Sequence, residues 1–216
     1  MKRLTNGWRL LLLASLAIVL RAQSQKAPLR IHIHIYNYAG VSGETLARAE
    51  QETARIFQRI RVETEWLDCP LTAEELSQNS ACDVPGAPAR FTLRLLSNTM
   101  AERFPLGHDF CGFALLPVSG GFGVTANVFA ERAKEVGGST ESLRVILGDL
   151  MAHELGHLLL GQSGHSVAGI MRAQWRTQEL QRAVEGTLFF LPEQAQTIRA
   201  QVLARMINSG TLPAHR

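Results

Sequence analysis

The chain has 216 residues, with 22 Lys and Arg against 19 Asp and Glu, a formal charge of +3 and 46% hydrophobic residues. It carries no internal repeat or low-complexity tract, and its length suffices to bury a continuous core. Its basic residues are scattered singly, so nothing in the charge pattern equips it for nucleic acid.

The first segment reads as a signal peptide. Lys2, Arg3 and Arg9 form a basic start, Leu10 to Leu20 is apolar apart from Ser15, and Ala22-Gln23-Ser24 is a small-x-small cleavage signal. Residues 1–24 are expected to be removed, leaving one domain over 25–216. An apolar run of about eleven residues is too short to span a bilayer, which needs roughly 20. No cysteine near the cut can carry a lipid, and no later stretch is long and apolar enough to cross a membrane. The mature protein is therefore expected to be soluble and exported, to the periplasm or the exterior, with no stable membrane insertion. Nothing in the sequence fixes its oligomeric state.

Ile31, Ile33 and Ile35 alternate with His32, His34 and Tyr36, as in a half-buried strand over 29–37. His32 and His34 read as a polar strand face, since no acid or cysteine joins them locally. Ser42 is placed to cap a helix of about five turns, with Leu46, Ala49, Thr53, Ile56, Phe57 and Ile60 at helical spacing. Val62, Thr64 and Trp66 mark a second strand, and Phe91, Leu93 and Leu95 a third. Between them lies a segment rich in Pro, Asn, Ser and Gly that holds Cys69 and Cys82. In an oxidising compartment these two are the expected disulfide, contributing roughly 3 kcal/mol in the chain-entropy account. Cys111 is left over and reads as a buried small hydrophobe, with a thiolate near a metal as the alternative.

Two more strands are expected at Phe113 to Val118 and Val124 to Phe129, separated by Ser119-Gly120-Gly121. Gly137-Gly138 then breaks the chain, Ser139 or Thr140 can cap, and Glu141 suits a first helical turn. Leu143, Ile146, Leu147, Leu150, Met151, Leu155 and Leu158 form a strongly apolar helix, which Gly161 ends. A short helix near Thr177 to Val184 and a final one opened by Pro192 follow, with a frayed tail after Asn208.

The apolar helix carries His153-Glu154-Leu155-Gly156-His157. Residues four apart share a helix face, so both imidazoles can reach one Zn2+ while Glu154 stands beside it without ligating it. In that place a carboxylate can take a proton from the activated water and later deliver it to a leaving amine. A catalytic zinc usually keeps three protein ligands. His165, beyond the bend formed by Gly161 and Gly164, is the candidate third. Glu179, then Glu185, from the C-terminal helices are the alternatives. Asp149, one turn before His153, can orient that imidazole or stand solvated on the helix.

From His153 to Met171 the sequence resembles the metzincin clan of zinc metallopeptidases, whose pattern is H-E-x-x-H-x-x-G-x-x-H followed by a methionine-containing turn. The run here is HELGHLLLGQSGH, then SVAGIM, with Met171 in the place of the Met-turn residue. The pattern would put its glycine at Leu160 and its third histidine at Ser163, so the loop to His165 is two residues longer. A carboxylate as third ligand would instead be the gluzincin arrangement.

The resemblance implies an α+β fold: a twisted mixed β-sheet backed by a helix, an active-site helix, and a small helical C-terminal subdomain. It implies one catalytic zinc ion, hydrolysis of peptide or protein substrates with Glu154 as general base, and a substrate strand paired to the sheet edge, expected at Val124 to Phe129. Some metzincins use a tyrosine after the Met-turn, and the only tyrosines here are Tyr36 and Tyr38. No cysteine-switch propeptide precedes Ile31, so a protein active once exported is expected. Two other readings stand beside this one: a non-catalytic exported zinc-binding or interaction protein, and a hydrolase of non-peptide amides.

Overall fold

The structure, a computed structural model, describes residues 27–78, 82, 89–161 and 164–210. The expected signal segment over 1–24 and the tail from 211 lie outside the described residues. Five strands form one sheet: β1 (Leu29–Asn37), β2 (Val62–Asp68), β3 (Arg90–Leu96), β4 (Gly112–Leu115) and β5 (Thr125–Phe129), in the order β2-β1-β3-β5-β4. All neighbours are parallel except β4, which runs antiparallel to β5.

The helices among the described residues are α1 (Gly43–Arg59), α2 (Ala73–Gln78), α3 (Asn98–Ala101), α4 (Ala130–Gly137), α5 (Thr140–Leu160), α6 (Thr177–Val184) and α7 (Pro192–Asn208). This is the expected α+β architecture: a mixed sheet, helices against one face, and a helical C-terminal part. No helix among the described residues is long and apolar enough to cross a membrane.

Alternation fixes the core face. Ile31, Ile33 and Ile35 of β1 and Phe91, Leu93 and Leu95 of β3 are at most 1% exposed, and they meet α1, α5 and α7. Helix α1 starts where Ser42 Oγ accepts the Thr45 N–H, and it buries Leu46, Ala49, Thr53, Ile56 and Phe57. It docks closely on α5, where Thr53 Oγ1 donates to the Gly148 carbonyl at 2.8 Å. Ser139 caps α5 by accepting the Ser142 N–H, and Gly161 ends it with φ 73°, a left-handed conformation open to glycine. On the far side of the sheet edge a smaller cluster gathers Leu96, Ala101 and Phe129 with Phe104 and Phe113.

Several expectations change. The edge strand is β4, whereas Val124 to Phe129 supplies β5, an interior strand held between β3 and β4. Neither segment carries an edge signal of its own, and strand order depends on pairing between distant residues. The strand expected over Phe113 to Val118 spans only Gly112–Leu115, because Pro117 and the turn after it end the pairing. Helices α2, α3 and α4 had no sequence expectation. The first two have 6 and 4 residues. In α4 the inward positions are Ala130, Arg132 and Ala133, so an arginine interrupts the apolar stripe. Its guanidinium donates to the Gly107 and Phe110 carbonyls and lies over the Phe129 ring.

Candidate metal centre

Three imidazoles converge beyond the middle of α5. His157 Nε2 lies 3.1 Å from His153 Nε2 and 3.1 Å from His165 Nε2, and the ligand atoms of all three fall within 4.8 Å of one another. Zinc bonds to imidazole nitrogen at about 2.0–2.1 Å, so tetrahedral ligands stand roughly 3.3 Å apart. Two of the separations are within a few tenths of an ångström of that value. The donor set therefore fits a zinc ion.

The arrangement is built from local rules. His153 and His157 share one face of α5 because they are four residues apart. His165 returns beneath them after Gly161 turns the chain. His153 Nδ1–H donates to the Ile170 carbonyl at 2.7 Å, which keeps the proton on Nδ1 and leaves Nε2 as the outward lone pair. Trp175 Nε1–H donates to the same carbonyl at 3.1 Å, and its ring lies edge-on to His153. From α7, Gln194 Nε2 donates to Ser166 Oγ at 3.0 Å, tying down the loop that carries His165. The Ser166 N–H donates to the Met171 carbonyl, closing the turn.

Met171 is fully buried below the histidines. A Cβ on Gly156 would lie 2.6 Å from Met171 Sδ and 2.8 Å from the Phe190 ring, so only glycine lets α5 settle on this turn. That is the physical reason for a glycine inside the H-E-x-x-H run.

Electrostatics favour neutral ligands. Burial, reinforced by charge on His165, holds the His153 imidazole down at about 4, against the hydrogen bond to Ile170. Burial and its two histidine neighbours hold His157 at about 3, and burial lowers His165. All three are neutral at pH 7, the form that ligates metal. Glu154 is 4% exposed, its Oε2 has no hydrogen-bond partner, and burial pushes its carboxyl up to about 8. A cation beside it would reverse that rise by favouring the carboxylate. Its Oε1 would lie 2.8 Å from a Cβ on Gly112, so the acid abuts the sheet's edge strand, at a residue whose lack of a side chain makes room for it.

The other candidates stand elsewhere. Glu179 is buried, accepting from Arg172 Nη1 and the Arg176 N–H, both at 3.0 Å, so its oxygens are committed away from the histidines. Glu185 ends α6 and accepts from Gln181. Among the described residues the only group of three or more metal-capable side chains is His153, His157 and His165. Asp149 neither orients His153 nor stands in solvent. It is fully buried toward Glu52 and Arg55 of α1, and Ile170 takes the orienting role.

His32 faces Glu65, and His34 is buried on the sheet face turned from the core. Cys69 and Cys82 are joined as a disulfide, with Cα atoms 5.8 Å apart. Cys111 is half-buried and free, burial pushes its thiol up to about 11, and it lies outside the group formed by His153, His157 and His165. Ile170, Trp175 and Gln194 had no role in the sequence reading. Gln194, third in a helix opened by proline, carried the only local signal, that of a helix-start residue.

The sequence matches no protein-family model and no curated protein. Among solved structures this chain resembles archaemetzincin from Methanopyrus kandleri. The likeness covers 83% of this chain and 99% of that one, with a TM-score of 0.50 and 15% sequence identity. At that identity the likeness concerns the fold. The chain thus shares the fold of archaemetzincin, and its three histidines lie on the helix and turn described above.

Proposed function

We propose that this protein is an exported zinc metallopeptidase that hydrolyses peptide bonds, with one zinc ion held by His153, His157 and His165 and with Glu154 as general base. The observation that carries this reading is a buried carboxyl with an unpartnered Oε2, next along α5 to one of three clustered imidazoles and against the sheet's edge strand at Gly112. Burying an acid without a partner costs about 1–3 kcal/mol, and Glu154, unlike the equally unpartnered Asp149, stands beside a metal-capable histidine and the strand edge, where that acid has work to do. The archaemetzincin fold supports the same class of chemistry.

Zinc bound there would supply a Lewis acid that acidifies water and polarises the scissile carbonyl. The chain's own residues do the rest. Glu154 Oε2 accepts the proton of the attacking water and then delivers it to the leaving nitrogen. Ile170 and Trp175 hold His153 in its tautomer and orientation. Met171 and Phe190 set the height of α5 above the turn through Gly156.

Strand β4 presents the substrate. Phe129 N–H donates to the Cys111 carbonyl, and the register pairs 113 with 127 and 115 with 125. Residues 111, 113 and 115 thus face β5, and the N–H and C=O of Gly112 and Ala114 point out of the sheet. They can pair with an extended peptide running past Glu154.

Export is supported by the basic, apolar and small-x-small order of the first 24 residues and by the Cys69–Cys82 disulfide. The test compares wild type with Glu154→Gln on a mixed peptide library read by mass spectrometry. The expected outcome is equal zinc per chain with cleavage reduced about 10²–10⁴-fold. Full zinc in both proteins with cleavage in neither would favour the non-catalytic zinc-binding protein.

A further inference from the structure

The stretch that carries the edge strand beside Glu154 bears no charged side chain of its own, although Arg132 and Arg205 donate to the Phe110 and Gly123 carbonyls from elsewhere in the chain. Residues 110–124 contain no Asp, Glu, Lys, Arg or His, although 19% of the chain is charged and fifteen residues at that average would carry about three. The same fifteen residues hold Phe110, Leu115, Val118, Phe122 and Val124, five of the exposed large hydrophobic side chains, and Val167 stands 89% exposed two residues after His165. Exposed apolar side chains are ordinary when scattered, but a continuous uncharged stretch marks a place where something docks.

The geometry links this surface to the site. Strand β4 lies inside the stretch, and its Gly112 abuts Glu154. The Phe122 ring lies 3.7 Å from where a Cβ on Gly161 would stand. Gly161 in turn accepts the Gly164 N–H, and Gly164 packs on the His157 ring. Phe122 therefore stands beside Gly161, four residues past His157 at the end of α5, and exposed Val167 follows His165 by two residues.

Resting on the metallopeptidase reading, we propose that the cleft selects extended peptides with uncharged, apolar side chains around the scissile bond, with Phe122 and Val167 as specificity-determining residues. An apolar side chain gains by covering these groups. A charged one has no partner in 110–124 and loses hydration when the peptide lies down along β4. Discrimination thus comes from rejection as well as attraction.

The test measures binding to zinc-loaded Glu154→Gln by fluorescence anisotropy, using matched short blocked peptides that carry Leu and Phe, Glu, or Lys at the central positions. The apolar peptide is expected to bind at least about tenfold more tightly than either charged one. Phe122→Glu in that background should erase most of the preference, and Val167→Glu should raise affinity for the lysine peptide. Val184→Glu, which alters an exposed valine of α6, should change neither and controls for added surface charge. Equal binding of the three peptides overturns the proposal. So does concentration-dependent dimerisation that Phe122→Glu abolishes while no peptide binds, which would assign the patch to a second copy of the chain. Apolar peptides that bind selectively but are not cut by wild type would uphold the surface and sink the hydrolase reading, so the two failures are distinguishable.

Discussion

Helices α1 and α5 lie against each other under the sheet, yet their polar residues follow opposite rules. Helix α1 is amphipathic: Leu46, Ala49, Ile56 and Phe57 face inward, while Glu44, Arg48, Gln51, Gln58 and Arg59 are exposed. Helix α5 meets α1, the sheet, α4, α6 and α7, and it is apolar nearly all round. Its polar residues Asp149, His153 and Glu154 are consequently buried. A polar group on the exposed face of α1 has water for a partner, whereas one on α5 needs a protein partner, a ligand or a proton. His153 has Ile170, whereas Glu154 Oε2 and both Asp149 oxygens have no hydrogen-bond partner, and burial holds the Asp149 carboxyl well above the usual carboxylate range, with Glu52 adding to the rise and Arg55 opposing it. Of the two unpartnered acids, Glu154 is the one that also abuts the edge strand, at Gly112.

The contrast is broken most severely by removing a polar side chain from each helix. His153→Ala should take zinc from about one ion per chain to none, read by elemental analysis after dialysis. Arg48→Ala on the exposed face of α1 should leave zinc content unchanged and shift stability by less than about 0.5 kcal/mol in urea unfolding. Retained zinc in the first variant would contradict the assignment of that helix face.

A middle-sized effect concerns how closely α5 is seated. Gly156→Ala places a methyl group 2.6 Å from Met171 Sδ and 2.8 Å from Phe190 Cε1. It should cost about 1–3 kcal/mol in urea unfolding through overpacking. A neutral result would mean that the turn under the metal yields, and that its height is not set by this contact.

The smallest effect tests α1. Glu50 is half-buried, and burial, then the Asp68 charge, raise its carboxyl from 4.5 to about 7. The folded state therefore holds this proton more tightly than the unfolded state. The contribution to stability is complete below 4.5, declines as pH rises, and is lost once pH passes about 7. Glu50→Gln copies the protonated form, so it should be more stable than wild type by about 1–2 kcal/mol near pH 8 and nearly equal to it near pH 4. Parallel pH profiles for the two proteins would remove Glu50 as the source.

Much of this contrast was legible in the amino-acid order. The alternation of Ile31, Ile33 and Ile35 marked a half-buried strand, and the stripe from Leu46 to Ile60 marked an amphipathic helix. The histidines four apart in an apolar helix, then His165 and Met171, picked out the residues that the fold brings together. These signals are local, because side-chain periodicity and helix-face geometry act over a few residues. What stayed hidden depends on distant partners. β4 and β5 read alike, and only pairing with β3 decides which is the edge. Arg132 gave no signal in the sequence, and its burial is supported by loop carbonyls 22 and 25 positions away that accept from it. Asp149 looked free to orient His153, but a carbonyl 17 residues on had already taken that place.

The most direct test of the central claim is X-ray absorption at the zinc edge of the zinc-loaded protein, alongside the His165→Ala variant. Scattering from three imidazoles in wild type, falling to two in the variant, is the predicted result. Two imidazoles in wild type, unchanged by His165→Ala, would contradict the convergence of His153, His157 and His165 on one metal.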